Sequence, residues 1–374
     1  MKLAAESNNY SQFIISRTYD IPPKKIVIKS LATANPAKKV TQGHVYKVLG
    51  ETFKLKQDEK ELYRKILLSG PIKTRYFGLD YDEQIVLQKQ DDLIARFTKY
   101  ARLIAAEASR ESLEKAALKS TDIGCLVVNT CTGYLCPGLS SYLAEDLHLD
   151  SSVRVVDIAG MGCGAALVNL ECASKMMPYD SRAALSVAVE ICSATFFMGP
   201  EPDLVVSNCI FGDGASAAIV TCVDKNDNEN VATLLDFESL VLPKERESLR
   251  YRWEQGRLRN MLDKRVPITA ARGAKKVAEK LLQRNRLGMN EIDFWAVHPG
   301  GSVVLEKIRE VLGLSSGALD YSHQVLRDFG NMSSPSVMFV FEKILRKGNP
   351  KSGQKCILLS FGAGFTAFAG LVEF

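Results

Sequence analysis

Three residues far apart in the 374-residue chain have side chains and settings that suit nucleophilic chemistry: Cys163, His298 and Asn331. Cys163 lies in VVDIAGMGCGAAL (Val155–Leu167), where a β-branched run gives way to glycines and then to a helical pattern. The thiol therefore sits at a strand-to-helix elbow, where unpaired N–H groups at the helix start favour a thiolate and glycines allow close approach. His298 follows the apolar run of FWAVHPGG, so its ring stands at a strand's C-terminal end, the edge where ligands collect in open α/β sheets. Asn331, in DFGNMSSPSV, has two readings, a helix N-cap or a hydrogen-bond donor in a site. Together the three form a Cys–His–Asn set able to hold a covalent intermediate.

Positioning them requires alternating strands and helices. Residues 1–24 read as a loose arm, and Lys25–Leu31 alternates as a first strand. Helical spacing covers Thr41–Leu55, Glu59–Leu68 and Asp91–Ala117, and Ile123–Asn129 is a strand covered on both faces. Further strands are read at Ala184–Ile191, Ser216–Val223, Val231–Phe237, Phe294–Val297, Cys356–Phe361 and Thr366–Phe374. Helices are read from Pro267 to Leu282, Val303 to Leu312 and Ser333 to Leu345. The polar segment Asp224–Asn230 divides the chain into residues 1–228, with the cysteine, and 229–374, with the histidine and asparagine. The alternation implies α/β layers with largely parallel sheets.

VVDIAGMGCGAAL, FGDGASAAI, HPGG, GNMSSPSV and FGAGFTAFAG occur in this order and resemble the motifs of chalcone synthase-like type III polyketide synthases, most like microbial members. The resemblance runs from about Lys25 to Phe374 and implies a thiolase fold, two similar halves in a five-layer αβαβα core, and a homodimer. It implies that an acyl-CoA loads onto Cys163 and that malonyl-CoA is decarboxylated and condensed repeatedly before the chain cyclises. His298 and Asn331 then stabilise the enolate, and a protonated His298 holds the Cys163 thiolate. Phe211 matches an aromatic gatekeeper, and Thr195, Ser333, Cys131, Thr132 and Cys136 match cavity positions, Cys136 where a partner subunit is reached. Ala363 replaces a proline, Asn260 stands where a second gatekeeper belongs, and Lys65 alone matches the cationic CoA site, with Ser69 in place of a lysine. These small residues predict a cavity roomy enough for a fatty acyl starter and a pyrone or resorcinol-type product. A malonyl-primed route to a dihydroxyphenylacetyl-CoA-type thioester is the rival.

Composition narrows the other classes. Net charge is +5 with interspersed signs, and the basic stretches Lys60–Lys73 and Lys244–Arg265 read as solvated faces or an anion site rather than a nucleic-acid surface. Nine cysteines without metal spacing point to reduced thiols in the cytoplasm, and no run is apolar enough to span a membrane. No metal or cofactor is expected beyond the CoA thioesters. A β-ketoacyl carrier-protein synthase calls for Gln-Ala-Asn after a histidine, where this chain has HPGG. Hydroxymethylglutaryl-CoA synthase calls for a glutamate base, and Glu145 is the sole glutamate between Gly124 and Cys163.

Overall fold

The computed structural model describes residues 24–86, 89–177, 182–224 and 231–374. The expected arm and the polar boundary segment lie outside these, apart from Lys24 and Asp224, which pair at the ends of two strands. The first half contains β1 (Lys24–Ala34), β2 (Lys38–Thr41), α1 (Gln42–Thr52), α2 (Gln57–Ser69), β3 (Thr74–Phe77), α3 (Gln90–Lys115), β4 (Ile123–Asn129) and α4 (Leu139–Asp146). It continues with β5 (Arg154–Ile158), α5 (Ala165–Lys175), β6 (Ala183–Ile191), α6 (Pro202–Ile210) and β7 (Asp213–Asp224). The second half contains β8 (Ala232–Val241), β9 (Leu249–Glu254), β10 (Arg257–Leu262), α7 (Val266–Asn285), β11 (Phe294–Val297), α8 (Ser302–Leu312) and α9 (Asp320–Phe329). It closes with α10 (Ser336–Lys343), β12 (Lys355–Gly362) and β13 (Thr366–Glu373).

Nine strands join in the order β11-β12-β13-β8-β1-β7-β6-β4-β5. The first half supplies β1-β7-β6-β4-β5 and the second β11-β12-β13-β8, and they meet where Val27 and Ile28 pair with Thr233 and Ala232. Helix α3 covers the first half-sheet and α7 the second, while α5 and α10 each touch strands of both. That is the five-layer αβαβα thiolase arrangement, with α5 and α10 in the middle. Much of the middle layer is apolar: Leu167, Leu170, Val337 and Phe341 belong to one buried cluster with Leu358 of β12.

The sheet is mixed, which corrects the expectation of largely parallel strands. Only β4–β5, β4–β6 and β11–β12 run parallel; β1–β7, β1–β8, β6–β7, β12–β13 and β8–β13 are antiparallel. The short turn between β12 and β13 leaves no length for a parallel crossover. Helices α6 and α9 and the β9–β10 hairpin were not legible either. In α6, Leu204, Val205, Ser207, Asn208 and Cys209 are all buried, so the helix shows no polar face to reveal its period.

Backbone contact between the halves sets the elbow around Cys163. Gly162 has φ +58, and a Cβ on Gly362 of β12 would lie 2.1 Å from the Met161 carbonyl and 2.7 Å from the Gly164 nitrogen. Because those neighbours are main chain, no rotamer change relieves the overlap. Gly362→Ala is expected to cost about 1–3 kcal/mol or more, read as a lowered thermal midpoint. Gly50→Ala, in α1 with open space around it, should be neutral or stabilising by up to about 1 kcal/mol in the same measurement.

Candidate active site

Loop and helix ends from both halves converge on a cavity of about 720 Å³ whose lining includes Cys163, Phe211, His298, Gly300 and Asn331. Cys163 arrives on the elbow before α5, His298 on the turn after β11, and Asn331 on the turn between α9 and α10. His298 is held by its backbone, its N–H donating to the Leu359 carbonyl (2.8 Å) and its own carbonyl accepting from Gly300 (2.9 Å). Its ring meets Phe361 edge-on at 5.2 Å. The imidazole is fully buried, and neither ring nitrogen has a hydrogen-bond partner among the described residues. Such an imidazole, lining a cavity, has both ring nitrogens available to a ligand.

Asn331 is not a helix cap. Pro335 precedes α10, and the asparagine carboxamide oxygen accepts from the Ser333 N–H at 2.8 Å while its NH₂ reaches the Gly300 carbonyl at 3.4 Å. Helix α10 also begins three residues later than its pattern suggests, because Ser333 takes a left-handed conformation with φ +58. That turn aims the Ser333 hydroxyl at the Cys163 sulfur, 3.3 Å away.

Burial works against isolated charge here. It pushes the Cys163 thiol up to about 12, against a smaller lowering by the Ser333 hydroxyl, and the His298 imidazole down to about 3. Both shifts favour the neutral thiol and the neutral imidazole over the expected imidazolium and thiolate. Moving the thiol proton to the ring creates both charges together and leaves the net charge unchanged.

The cavity residues divide into three groups. Cys131, Ser333 and Ala363 surround, with Cys163, Phe211, Tyr251 and Asn260, a void of only about 20 Å³. Thr195 instead faces a slot of about 60 Å³ shared with Phe211 and Asn260, its hydroxyl 3.3 Å from that of Tyr251. The room for a long alkyl chain expected from the small side chains is thus not open behind the sulfur. Thr132 is buried and lines a separate cavity of about 120 Å³, whereas Cys136 and Lys65 are exposed, Lys65 next in sequence to Ile66 in the lining of the large cavity. Phe211 and Cys163 line both the large cavity and the small void, which puts Phe211 at the boundary between them.

Glu190 was missed in the sequence. Fully buried at the end of β6, it accepts from the Cys131 and Thr132 N–H groups (2.9 and 3.1 Å), the Thr132 hydroxyl (2.8 Å) and the Ser334 hydroxyl (2.7 Å). One carboxyl thereby ties the loop carrying Cys131 to the turn carrying Ser333. The available signal was a lone carboxylate inside the apolar run ALSVAVEI. Glu145, the glutamate considered earlier, lies on α4 with its side chain 79% exposed. Replacing His298 tests the proton exchange described above: in His298→Gln, alkylation of Cys163 by iodoacetamide at pH 7 should slow at least about tenfold and rise steeply towards pH 10. Unchanged alkylation rates across pH would exclude the exchange.

Residues 30–239 match the family model for FAE1/type III polyketide synthase-like proteins, and residues 237–373 match that for the C-terminal domain of chalcone and stilbene synthases. The chain is 31% identical to 3,5-dihydroxyphenylacetyl-CoA synthase of Streptomyces toyocaensis, over 96% of this chain and 92% of that protein. It is 28% identical to the alpha-pyrone synthesis polyketide synthase-like Pks18 of Mycobacterium tuberculosis, over 92% and 90%. Among solved structures, PKS-I of the brown alga Ectocarpus siliculosus superposes with a TM-score of 0.87 at 26% identity, covering 95% of this chain and 99% of that one. With both family models matched end to end on a thiolase fold, the chain belongs to the type III polyketide synthases, acyltransferases that condense malonyl-CoA with decarboxylation.

Proposed function

We propose that Cys163, His298 and Asn331 are the catalytic residues and that the enzyme builds a small pyrone or resorcinol-type ring from a short starter, malonyl-derived units being the best fit. The observation that carries the starter size is the void of only about 20 Å³ beside Cys163, with Tyr251 in its lining. Similarity to a 3,5-dihydroxyphenylacetyl-CoA synthase supports it, since that acyl skeleton is a whole number of two-carbon units.

In the proposed cycle a CoA thioester enters the large cavity, with Lys264 in its lining and Lys65 next in sequence to Ile66 of that lining. The Cys163 proton passes to His298, the thiolate attacks the thioester carbonyl, and the CoA thiolate leaves and takes up a proton. Malonyl-CoA then binds with its thioester oxygen at the His298 ring N–H and the Asn331 NH₂. Its carboxylate C–C bond breaks, carbon dioxide leaves, and the electron pair moves onto the thioester as an enolate. Phe211 disfavours the charged carboxylate relative to neutral carbon dioxide. The enolate carbon attacks the Cys163 thioester, forming a C–C bond and releasing the thiolate for the next round.

The same reading takes residues 1–228 and 229–374 as the two thiolase-like halves, the changeover of the family matches at 237–239 lying close by. It includes a homodimer: among the described residues β5 is a free sheet edge with Val155 exposed, and Tyr134 and Cys136 are exposed on the loop between β4 and α4. It includes a cytoplasmic setting, consistent with nine unpaired cysteines, and among the described residues no helix is long and apolar enough to cross a membrane. CoA thioesters are the sole small-molecule partners, without a resident cofactor.

Two experiments test this reading. Cys163→Ala should abolish condensation, and Asn331→Ala should cut malonyl-CoA decarboxylation by about 10²–10³-fold while loading of Cys163 falls less. Equal losses would assign Asn331 a purely structural part. For the starter, kcat/KM should be highest with malonyl-CoA alone or acetyl-CoA and fall through hexanoyl-, lauroyl- and palmitoyl-CoA. Tyr251→Gly should reverse that order, since each methylene that gains a buried position contributes about 0.8 kcal/mol. A wild-type preference rising with chain length, or for coumaroyl-CoA, would overturn the short-starter reading and leave the condensing chemistry intact.

A further inference from the structure

Arg75, on β3, is 1% exposed and hydrogen-bonds neither Cys163 nor His298, yet it touches both backbone segments that carry Phe211 and Asn331. Its Nη1 donates to the carbonyls of Asn208 (2.8 Å) and Phe211 (2.6 Å), and its Nε donates to the Gln42 side-chain oxygen (2.8 Å). Of the last four carbonyls of α6, that of Ser207 keeps its helical bond from the C-cap residue and the other three find partners outside the helix. Ser207 accepts from the Phe211 N–H, Asn208 from Arg75, Cys209 from the Gln42 amide (2.9 Å), and Ile210 from the Asn331 N–H (2.8 Å). A cation is also the favoured charge at the C-terminal end of a helix dipole. Burial lowers the guanidinium to about 10, so it stays charged at neutral pH.

The other segment meets the stem of the same side chain. A Cβ on Gly330 would lie 2.9 Å from Arg75 Cγ and 3.0 Å from Cδ, so the stem lies against the residue just before Asn331. Phe211 and Asn331 form a short parallel bridge, closed on its other side by the Gly212 N–H donating to the Asn331 carbonyl (3.0 Å). The polar head of Arg75 thus pins the Phe211 strand of the bridge while its stem packs on the Asn331 strand. Strand β3 adds to the grip, with the Thr74 hydroxyl donating to the Asp328 carbonyl (2.6 Å) at the end of α9.

We infer that Arg75 is a positioning residue for decarboxylation, setting where Phe211 and Asn331 stand relative to Cys163 and His298. This rests on the proposed roles of those four residues. Loading needs Cys163 and His298, which Arg75 does not touch, so the two half-reactions separate the positioning role from general stabilisation.

The test uses the purified full chain and its Arg75→Met and Arg75→Lys variants, with thermal unfolding, mass-resolved acylation of Cys163 and release of carbon dioxide from malonyl-CoA. In Arg75→Met, kcat for decarboxylation should fall about 10–30-fold, with KM and the acylation rate within about threefold of wild type. Arg75→Lys keeps the charge and most of the stem, and should recover to within about fivefold of wild type. If Arg75→Met does not accumulate as folded protein, a decarboxylation loss of about threefold or more in folded Arg75→Lys with normal acylation supports the role. Equal losses of acylation and decarboxylation, or no loss in either, overturn it. Wild-type protein that neither acylates Cys163 nor decarboxylates malonyl-CoA overturns the functional reading, and this role with it.

Discussion

Removing a thiol and an imidazole from water together is the constraint on which the rest of the structure depends. Alone, each is driven to its neutral form, Cys163 by a raised and His298 by a lowered pKa. In the proposed exchange a reactive thiolate forms by transfer of the proton to the ring, at a cost set by geometry that solvent no longer averages. The two groups come from different halves of the chain, so the interface between the half-sheets must be held rigidly. The contact of Gly362 against the backbone of the Cys163 elbow, and the shared middle layer of α5 and α10, supply that rigidity.

Behind the reacting groups the protein satisfies polar atoms within itself. Glu190 gathers donors from the loop after β4 and from Ser334, and the chain continues as Asn129 donates to Ser334 (2.8 Å) and Asn169 donates to Asn129 (3.0 Å). A fully buried carboxyl with these partners gives the wall beside Cys131 and Ser333 a defined shape. That wall and Tyr251 leave little volume behind the sulfur, whereas the entry side is wide and mostly apolar.

Residue identity and local pattern already singled out the cysteine at the elbow, the histidine at a strand end, the asparagine, and most strands and helices. These rest on short-range physics: glycines at a sharp elbow, β-branched runs, and apolar residues at helical spacing. Motif order then led to the family and the thiolase fold, because HPGG and GNMSSPSV are specific in combination. Glu190 stayed hidden because a carboxylate in a strand discloses its value only once donors from residues distant in sequence surround it.

What tertiary structure alone decided was direction, volume and charge state. Strand polarity in the nine-stranded sheet depends on which elements become neighbours, so alternation could not separate a parallel from a mixed sheet. The small residues Cys131, Ser333 and Ala363 suggested an open cavity, but volume depends on what faces them, and Tyr251 arrives from a hairpin that no pattern revealed. The ionisation of His298 likewise followed from burial across the junction of two halves, a property of the packed interface and not of any stretch of chain.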